Sequence, residues 1–281
     1  MEYKEITPEI IKKYDSEGLK IDKDRVLTYS QLSCPLDCTY CFVDDMNTNQ
    51  DKNVAYLSGR QIELLKNLPK EISLIMLGCD TEFFQNKHEA IDILRKLSEF
   101  DKDISMITKI PIAESFLDEI SKINEDIIKR GNILSVSVSL PCLFKETVEK
   151  YEPKVPSPER RISTLELIFS KGIPSMVAVR PLLPDVSNEE LEKIIESTKN
   201  YVVGYYSGPL YLNDDRIAKL LPQEIVDQES KQPHWMLDGN TFKEILKDEQ
   251  MDFLKSCIEK NGKQFFEGAS EGMKYIKQHN K

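Results

Sequence analysis

The sequence predicts an α/β fold in which helices cover a parallel β-sheet. Short apolar runs rich in Val, Ile and Tyr alternate six times with stretches that have the spacing of amphipathic helices. The connections between these segments are short, as in repeated βα units. The sheet is therefore either open and doubly wound or closed into a barrel. Both arrangements place the chemistry at the C-terminal ends of the strands.

The predicted strands and helices follow one another along the chain. β-branched and aromatic residues indicate strands at 26–32, 72–77, 104–107, 133–140, 173–179 and 201–206. Helical spacing indicates helices at 58–68, 86–100, 111–128, 159–171 and after residue 187. Ser58 is an expected N-cap and Pro111 an expected first-turn residue. Gly172 is expected to end a helix, and Ser187 with Glu190 fits a capping box.

The later part of the chain divides into a serine-rich strand, a loop and a tail. Strand 133–140 alternates serine with apolar residues, so its serines share one side. A loop with four prolines, 141–158, follows it. The tail shows no strand pattern, and its spacing predicts helices at 242–260 and 264–277. We therefore expect three parts: an N-terminal segment (1–25), a βα domain (26–206) and a helical C-terminal extension (207–281).

Composition and charge restrict the classes of function. The 281 residues carry 48 Asp and Glu against 38 Lys and Arg, a formal net charge of −10. Duplex nucleic acid is disfavoured as the main partner because phosphate neutralisation needs a basic surface, although a local basic groove is compatible with this balance. The longest uncharged stretches, 131–144 and 200–213, are shorter than the roughly 18 residues that a membrane span needs. The first residues lack the apolar run of a signal peptide, so we expect a cytoplasmic protein.

Three of the six cysteines are bunched in the motif Cys34-Pro-Leu-Asp-Cys38-Thr-Tyr-Cys41, directly after the first predicted strand. Three thiolates on one short loop can bind three irons of a cubane iron–sulfur cluster and leave the fourth iron open. An open coordination position is typical of a reactive metal site rather than a structural one. The spacing therefore favours a catalytic [4Fe–4S] cluster.

Two simpler explanations of the cysteines are weaker. A structural zinc site needs four ligands, but the nearest histidine, His88, lies 47 residues after Cys41, and the sequence has no second pair with the spacing Cys-x2-Cys. Buried structural cysteines would not explain the regular spacing. Cys79, Cys142 and Cys257 stand alone, so an auxiliary cluster is not expected.

The cysteine motif, with Tyr40 before its last cysteine, resembles that of the radical S-adenosylmethionine (SAM) superfamily. Its place after the first of six βα units matches the partial (β/α)6 barrel of that superfamily. Residues 26–206 are also similar to the spore photoproduct lyase-like branch. The segments that carry this narrower resemblance are 77–82 (Leu-Gly-Cys-Asp-Thr-Glu), 106–109 (Met-Ile-Thr-Lys), 136–139 (Val-Ser-Val-Ser), 152–153 (Glu-Pro), 156–161 (Pro-Ser-Pro-Glu-Arg-Arg) and 181–184 (Pro-Leu-Leu-Pro).

The resemblance implies a partial (β/α)6 TIM-type barrel with a helical C-terminal extension, and two cofactors, one [4Fe–4S] cluster and SAM. The reduced cluster would cleave SAM to a 5′-deoxyadenosyl radical that abstracts hydrogen from the substrate. A reductant protein such as flavodoxin or ferredoxin would supply the electron. The acidic composition favours a small molecule, a nucleotide or a peptide as substrate. The alternatives are a DNA photolesion lyase of the spore photoproduct lyase type and a non-catalytic iron–sulfur electron-transfer protein.

The resemblance also implies roles for single residues. Cys34, Cys38 and Cys41 would bind the cluster. Asp80, Thr81 and Glu82 replace the common Gly-Gly-Glu that accepts the SAM amino group, and Glu82 is the favoured acceptor. Donors for the SAM carboxylate would be Lys109 and one of two serines, Ser137 or Ser139. Tyr40 would stack on adenine or pack against the cluster, and the backbone of 179–183 would bind adenine.

Further expectations concern isolated residues. Cys79 falls where the repair enzymes of the branch carry a cysteine that donates hydrogen to the substrate radical, although a small buried residue would also fit there. Arg161 could pair with the SAM carboxylate, but we expect a solvated helix residue. His234 and Trp235 are expected to make a packed lid contact rather than a metal site.

Overall fold

The computed structural model describes residues 6–30, 32–46, 55–224 and 226–279. Its strands are β1 (Leu19–Asp22), β2 (Arg25–Thr28), β3 (Leu74–Leu77), β4 (Asp103–Thr108), β5 (Leu134–Ser139), β6 (Ser175–Val179), β7 (Gly204–Ser207), β8 (Leu210–Leu212), β9 (Lys243–Ile245) and β10 (Gln264–Phe266). Its α-helices are α1 (Pro8–Asp15), α2 (Gly59–Lys66), α3 (Lys87–Leu97), α4 (Glu114–Lys129), α5 (Lys145–Tyr151), α6 (Pro158–Ser170), α7 (Asn188–Thr198), α8 (Asp214–Leu220), α9 (Asp248–Lys260) and α10 (Ala269–His279). Part of the predicted N-terminal segment, residues 1–5, lies outside the described residues.

Within the described residues, the main sheet has eight strands in the order β1-β2-β3-β4-β5-β6-β7-β10. Strands β2 to β7 pair in parallel and in chain order, which is the arrangement of six successive βα units. The antiparallel strand β1 pairs with β2 at one edge. The prediction of a partial βα barrel is confirmed, and its parallel strands bring their C-terminal ends to one rim.

Helices α2, α3, α4, α6 and α7 each pack an apolar face against the core of this sheet. Ser58 caps α2 in a complete capping box with Gln61, as expected of an N-cap serine. Ser187 also caps its helix, but the reciprocal half of the predicted box is wrong. The Glu190 carboxylate instead accepts backbone hydrogen bonds from Leu143 at 2.6 Å and Phe144 at 2.8 Å. It therefore ties the loop after β5 to α7.

The expectation that the tail lacks strands is wrong. Strand β10 pairs in parallel with β7, and β8 and β9 form a small antiparallel ribbon. Helix α10 then packs on the inner face of the sheet, where Met273 and Ile276 join Met176, Ala178 and Tyr206 in a buried cluster. The tail therefore fills the lower part of the partial barrel and leaves its upper rim for the site.

Several boundaries also differ from prediction. The first barrel strand ends at Thr28 rather than near residue 32, because the chain turns where Leu32 N donates to Ser30 Oγ at 3.2 Å. Helix α5 lies inside the predicted proline-rich loop. The N-terminal segment is part of the sheet because it supplies β1. Among the described residues, no helix combines the length and apolar character that a membrane span requires.

Candidate active site

A cavity of about 600 Å³ opens at the C-terminal rim of the barrel. Its size is that of a small-molecule site. The loop after β2, the ends of β3 to β6 and the tail all contribute walls. Of the residues predicted from the sequence, it brings together Cys34, Cys38, Tyr40, Cys41, Cys79, Asp80, Thr81, Glu82, Lys109, Ser139, His234 and Trp235.

The cysteine loop is held in place by main-chain hydrogen bonds. Cys41 N donates to Cys38 O at 3.0 Å, which closes a turn between two of the three thiols. Thr39 N donates to Tyr151 O at 3.1 Å and thereby attaches the loop to the end of α5. Arg216 donates to Thr39 O at 2.9 Å from the tail. The three thiols therefore share one wall of the cavity on an anchored loop.

The thiols fit a cluster better than a single metal ion. In the described part of the chain, no three Cys, His, Asp or Glu side chains converge closely enough to hold one metal ion. A cubane cluster does not need such convergence because each thiolate binds a different iron. Burial raises the pKa of Cys38, and it raises the pKa of Cys41 to about 12, so a bound cation such as iron would be required to hold these groups as thiolates.

Beside the cysteine loop lies a buried charge network centred on Glu152. Its carboxylate forms ion pairs with Lys109 Nζ at 2.8 Å and Arg161 Nη2 at 2.7 Å, and it accepts a hydrogen bond from Tyr40 Oη at 2.6 Å. Lys109 also donates to Tyr40 Oη and, at 3.5 Å, to Cys38 Sγ. The network therefore connects the expected SAM-binding lysine with an expected cluster ligand.

The charged groups of this network shift the pKa values of Glu152 and Lys109 toward the ionised forms. Burial alone would raise the pKa of Glu152, but the Lys109 and Arg161 cations outweigh it and lower the pKa to about 2. Burial alone would lower the pKa of Lys109, yet Glu152 raises it above the ordinary value. Glu152 and Lys109 therefore both stay charged at neutral pH. The mutual pairing within the network is what makes burial of its charges tolerable.

The expectation that Arg161 is a solvated helix residue is wrong. Its side chain is only 1% exposed, and Nη1 donates to Ser139 O at 2.8 Å. Helix α6 places Arg161 on its inner face because the partner carboxylate, Glu152, is buried there. Sequence reasoning also gave Glu152 no role, although the Glu-Pro pair was visible as part of a motif.

Glu82 accepts hydrogen bonds from three groups at the rim. They are Phe84 N at 2.9 Å, Thr108 Oγ1 at 2.7 Å and Lys109 N at 2.8 Å. Burial raises the pKa of Glu82, and these hydrogen bonds oppose that shift. The carboxylate thus caps a 3-10 turn while its edge borders the cavity, where an ammonium group could bind.

Asp80 and Thr81, the two residues before Glu82, also form side-chain hydrogen bonds within the protein. Ser30 Oγ donates to the Asp80 carboxylate at 3.3 Å, and Thr81 Oγ1 accepts from Gln85 Nε2 at 3.4 Å. Both residues are buried at the cavity wall. Of the two acids, Glu82 is the one whose carboxylate contacts the Lys109 backbone.

Cys79 lies at the end of β3 and borders the cavity. Its Sγ donates to Met76 O at 3.5 Å, and burial raises the thiol pKa to about 12, so the thiol keeps its hydrogen. The preceding Gly78 has φ +87°, and a Cβ there would lie 2.6 Å from Ile107 O. Glycine is therefore required for β3 to end so close to β4.

Residues 29–198 match the family described as the Radical SAM superfamily. The chain belongs to this superfamily. The protein is therefore an enzyme. Its family uses a [4Fe–4S] cluster and SAM. The superfamily predicted from the cysteine spacing is thereby confirmed.

Relatives and solved structures place this radical SAM enzyme among varied proteins. It is 23% identical to an uncharacterized protein of Methanocaldococcus jannaschii over 71% of this chain and 76% of that protein. Spore photoproduct lyase complexed with dinucleoside spore photoproduct has a similar fold, with a TM-score of 0.59 at 13% identity over 84% of this chain and 75% of the lyase. Streptococcus suis SuiB bound to S-adenosylmethionine has a TM-score of 0.59 at 12% identity, over 92% of this chain and 52% of SuiB.

The two predicted serines differ in their relation to the radical SAM cavity. Ser139 borders the cavity at the end of β5, whereas Ser137 lies deeper on the same strand, is fully buried and does not border it. The geometry therefore brings only Ser139 to the other predicted SAM-binding groups.

The tail contributes His234 and Trp235 to the wall of the cavity. His234 Nδ1 lies 2.9 Å from Asp22 Oδ1. The Trp235 ring makes edge contacts with Phe42 and Tyr211 at centroid distances of 5.6 and 5.4 Å. Trp235 is therefore packed at the cavity wall, whereas the His234 side chain is largely exposed. Trp235 also lies over Arg180, a cavity residue that sequence reasoning missed although it ends a predicted strand.

Proposed function

We propose that this radical SAM enzyme binds a [4Fe–4S] cluster through Cys34, Cys38 and Cys41 and holds SAM against the rim of the barrel. When bound, the two cofactors would supply a 5′-deoxyadenosyl radical that takes hydrogen from the substrate. The single observation that carries the proposal is the convergence of the three thiols with Glu82 and Lys109 on one cavity.

Each SAM-binding group has a physical reason for its proposed role. Glu82 is a buried carboxylate at the cavity wall and would accept the SAM ammonium. Lys109 donates toward Cys38 Sγ, so its ammonium lies beside the proposed cluster and can also attract the SAM carboxylate. Ser139 would donate from the next strand, and Tyr40 is held by Lys109 and Glu152 close to the cysteine loop. Asp80, Thr81 and Ser137 are proposed only as supporting groups.

The substrate belongs to the proposal as a class. Neighbours of similar fold bind a dinucleoside photoproduct in one case and a precursor peptide in another. The net charge of −10 favours a small molecule, a nucleotide or a peptide over duplex DNA. A non-catalytic electron-transfer protein would not need the carboxylate and ammonium groups at the rim, so catalysis is the better explanation.

Cys79 is the proposed catalytic residue beyond SAM cleavage. Its thiol is protonated and borders the cavity, so it can donate a hydrogen atom to a substrate carbon radical without a separate base. We also propose a reductant protein such as flavodoxin or ferredoxin, and a cytoplasmic location.

The proposal is tested by anaerobic reconstitution of the full chain. We expect about four irons and four sulfides per chain, as the cubane formula requires, and 5′-deoxyadenosine after reduction in the presence of SAM. Cys34→Ala, Cys38→Ala and Cys41→Ala should each lose the iron. The matched control is Cys257→Ala, because Cys257 is a buried α9 residue away from the cavity and should leave the iron content unchanged. Stoichiometric zinc in a fully active protein would overturn the proposal.

A further inference from the structure

Arg180 is a partly buried cation at the cavity wall that has no carboxylate partner among the described residues. Several other buried or partly buried basic side chains in the described ranges pair with carboxylates, whereas Lys102 and Lys263 donate to main-chain carbonyl oxygens. The ion pairs are Lys20 with Asp15 and Asp238, Arg25 with Asp22, Lys109 and Arg161 with Glu152, and Arg216 with Asp44 and Asp45. In a chain with ten more acids than bases, a cavity arginine that forms no ion pair with a described carboxylate is free to bind an anion from outside.

The Arg180 guanidinium lies in a slot that fits its flat shape. Its Cζ lies 5.6 Å from the centre of the Trp235 ring, in cation–π contact. On the backbone of Gly208, an added Cβ would lie 3.1 Å from Arg180 Cζ and 3.1 Å from Nε. Gly208 O in turn accepts a hydrogen bond from Leu182 N at 2.8 Å, which fixes this backbone. The slot holds the guanidinium without using its N–H groups on a carboxylate.

The slot lies near Cys79, because Trp235 and Cys79 pack against the same buried apolar cluster. Burial raises the pKa of Cys79 and of Tyr206 to about 12 each, and the Arg180 charge opposes both shifts. The charge that acts in the same way on Cys38 and Cys41 is that of Lys109. Lys109 therefore acts near the proposed cluster, whereas Arg180 and the Asp22-paired Arg25 act near the proposed hydrogen donor.

We propose that Arg180 binds an oxyanion of the substrate, a phosphate or a carboxylate attached to an apolar or aromatic body, next to Cys79. A guanidinium held flat can bind an oxyanion through two parallel N–H groups. Tyr29, Tyr206 and Tyr211 also line this part of the cavity and would contact the body of the substrate. The inference rests on the proposed function and adds the substrate class to it.

The single tryptophan of the sequence provides the readout, because Trp235 lies directly on Arg180. The full chain, reconstituted with its cluster and SAM, would be titrated with phenyl phosphate, benzoate and the neutral benzyl alcohol. Affinity would be measured by calorimetry and by the Trp235 emission. We expect one or both anions to bind and to change the emission, and the neutral probe to bind much more weakly. Preference for phenyl phosphate or for benzoate identifies the kind of oxyanion, and either supports the proposal.

Variants of Arg180 and Gly208 distinguish three contributions to anion binding: the positive charge, the two parallel N–H groups of the guanidinium, and the slot that holds it. Arg180→Gln should weaken anion binding roughly 10- to 150-fold, as expected for loss of a charge-assisted interaction. Arg180→Lys should weaken anion binding less, because the positive charge remains although the two parallel N–H groups are lost. Gly208→Ala should weaken it while the net charge is unchanged. Arg130→Gln is the matched control because Arg130 is exposed and lies outside the cavity.

Three results would overturn the inference. They are equal binding of the neutral probe, unchanged anion affinity in Arg180→Gln, and a parallel loss of SAM affinity in Arg180→Gln, which would assign Arg180 to SAM. Failure of the proposed function looks different, because the wild-type chain would then lack iron or would not cleave SAM. Anion binding by calorimetry does not depend on cleavage.

Discussion

Replacement of Glu152 by glutamine should destabilise the protein strongly. The Glu152 side chain is fully buried and contacts Lys109, Arg161 and Tyr40. Glutamine keeps the shape of the side chain but removes its charge, so Lys109 and Arg161 would be left as buried cations without a counter-ion. Loss of one partner from a buried ion pair typically costs about 3–5 kcal/mol.

The pKa of Glu152 gives an independent magnitude. Its fall from 4.5 to about 2 corresponds to about 3 kcal/mol of folding free energy at neutral pH. The two figures agree within the precision of either. We therefore expect the free energy of unfolding of Glu152→Gln to be about 3 kcal/mol lower than that of the wild type.

The pH dependence of this difference has a definite sign. Because the pKa of Glu152 is lower in the folded state, its stabilising contribution is complete above pH 4.5 and is lost as the pH falls toward about 2. Urea unfolding of the apo-protein at neutral pH and at pH values through that window measures it. The difference between wild type and Glu152→Gln should be constant above pH 4.5 and should shrink below it.

A matched control is Glu119→Gln, which removes an ion pair with Arg95 on the exposed surface. An exposed pair contributes less than about 1 kcal/mol, so this variant should unfold close to the wild type. If Glu152→Gln were also within about 1 kcal/mol of the wild type at neutral pH, the network would not be the stabilising element that its geometry indicates.

Three further predictions concern the site and the sheet. Glu82→Gln should lower SAM affinity by roughly 10- to 150-fold with the iron content unchanged, as calorimetry and iron analysis would measure; an unchanged affinity would place the amino group elsewhere. Cys79→Ala should still form 5′-deoxyadenosine but give a diverted product by mass spectrometry, and an identical product at the same rate would leave Cys79 as packing. Gly204→Ala should lower stability by about 1–3 kcal/mol in urea unfolding, because its Cβ would lie 2.4 Å from Gln264 O; wild-type stability would show that β10 can shift freely.

The parallel core of the fold could be predicted because local signals agree with the tertiary structure there. Strands β3 to β6 are continuous apolar or serine-apolar runs, as strands covered on both faces usually are. The N-caps Ser58 and Ser187 mark their helices because each serine satisfies a backbone N–H of the first turn. These features are short in sequence and need no knowledge of distant residues.

Strand β10 could not be predicted from the sequence for the opposite reason. Its three residues, Gln264–Phe266, have no periodicity that distinguishes them from the helix predicted over them. They form a strand because their backbone pairs with Gly204 to Tyr206 at the open edge of β7, some sixty residues earlier. A pairing over that distance leaves no local signal in either segment.

The site shows the same division. The cysteine spacing is a local signal, and it led directly to the family. The role of Arg161 depends on its ion pair with Glu152, and the meaning of Arg180 depends on its forming no ion pair with a described carboxylate. A net charge of −10 averages over the whole chain and says nothing about the sign of charge inside one cavity. The structure therefore changes the argument about substrate: an acidic protein can still select an anion, provided that a cation such as Arg180 forms no ion pair with an acid of the described chain.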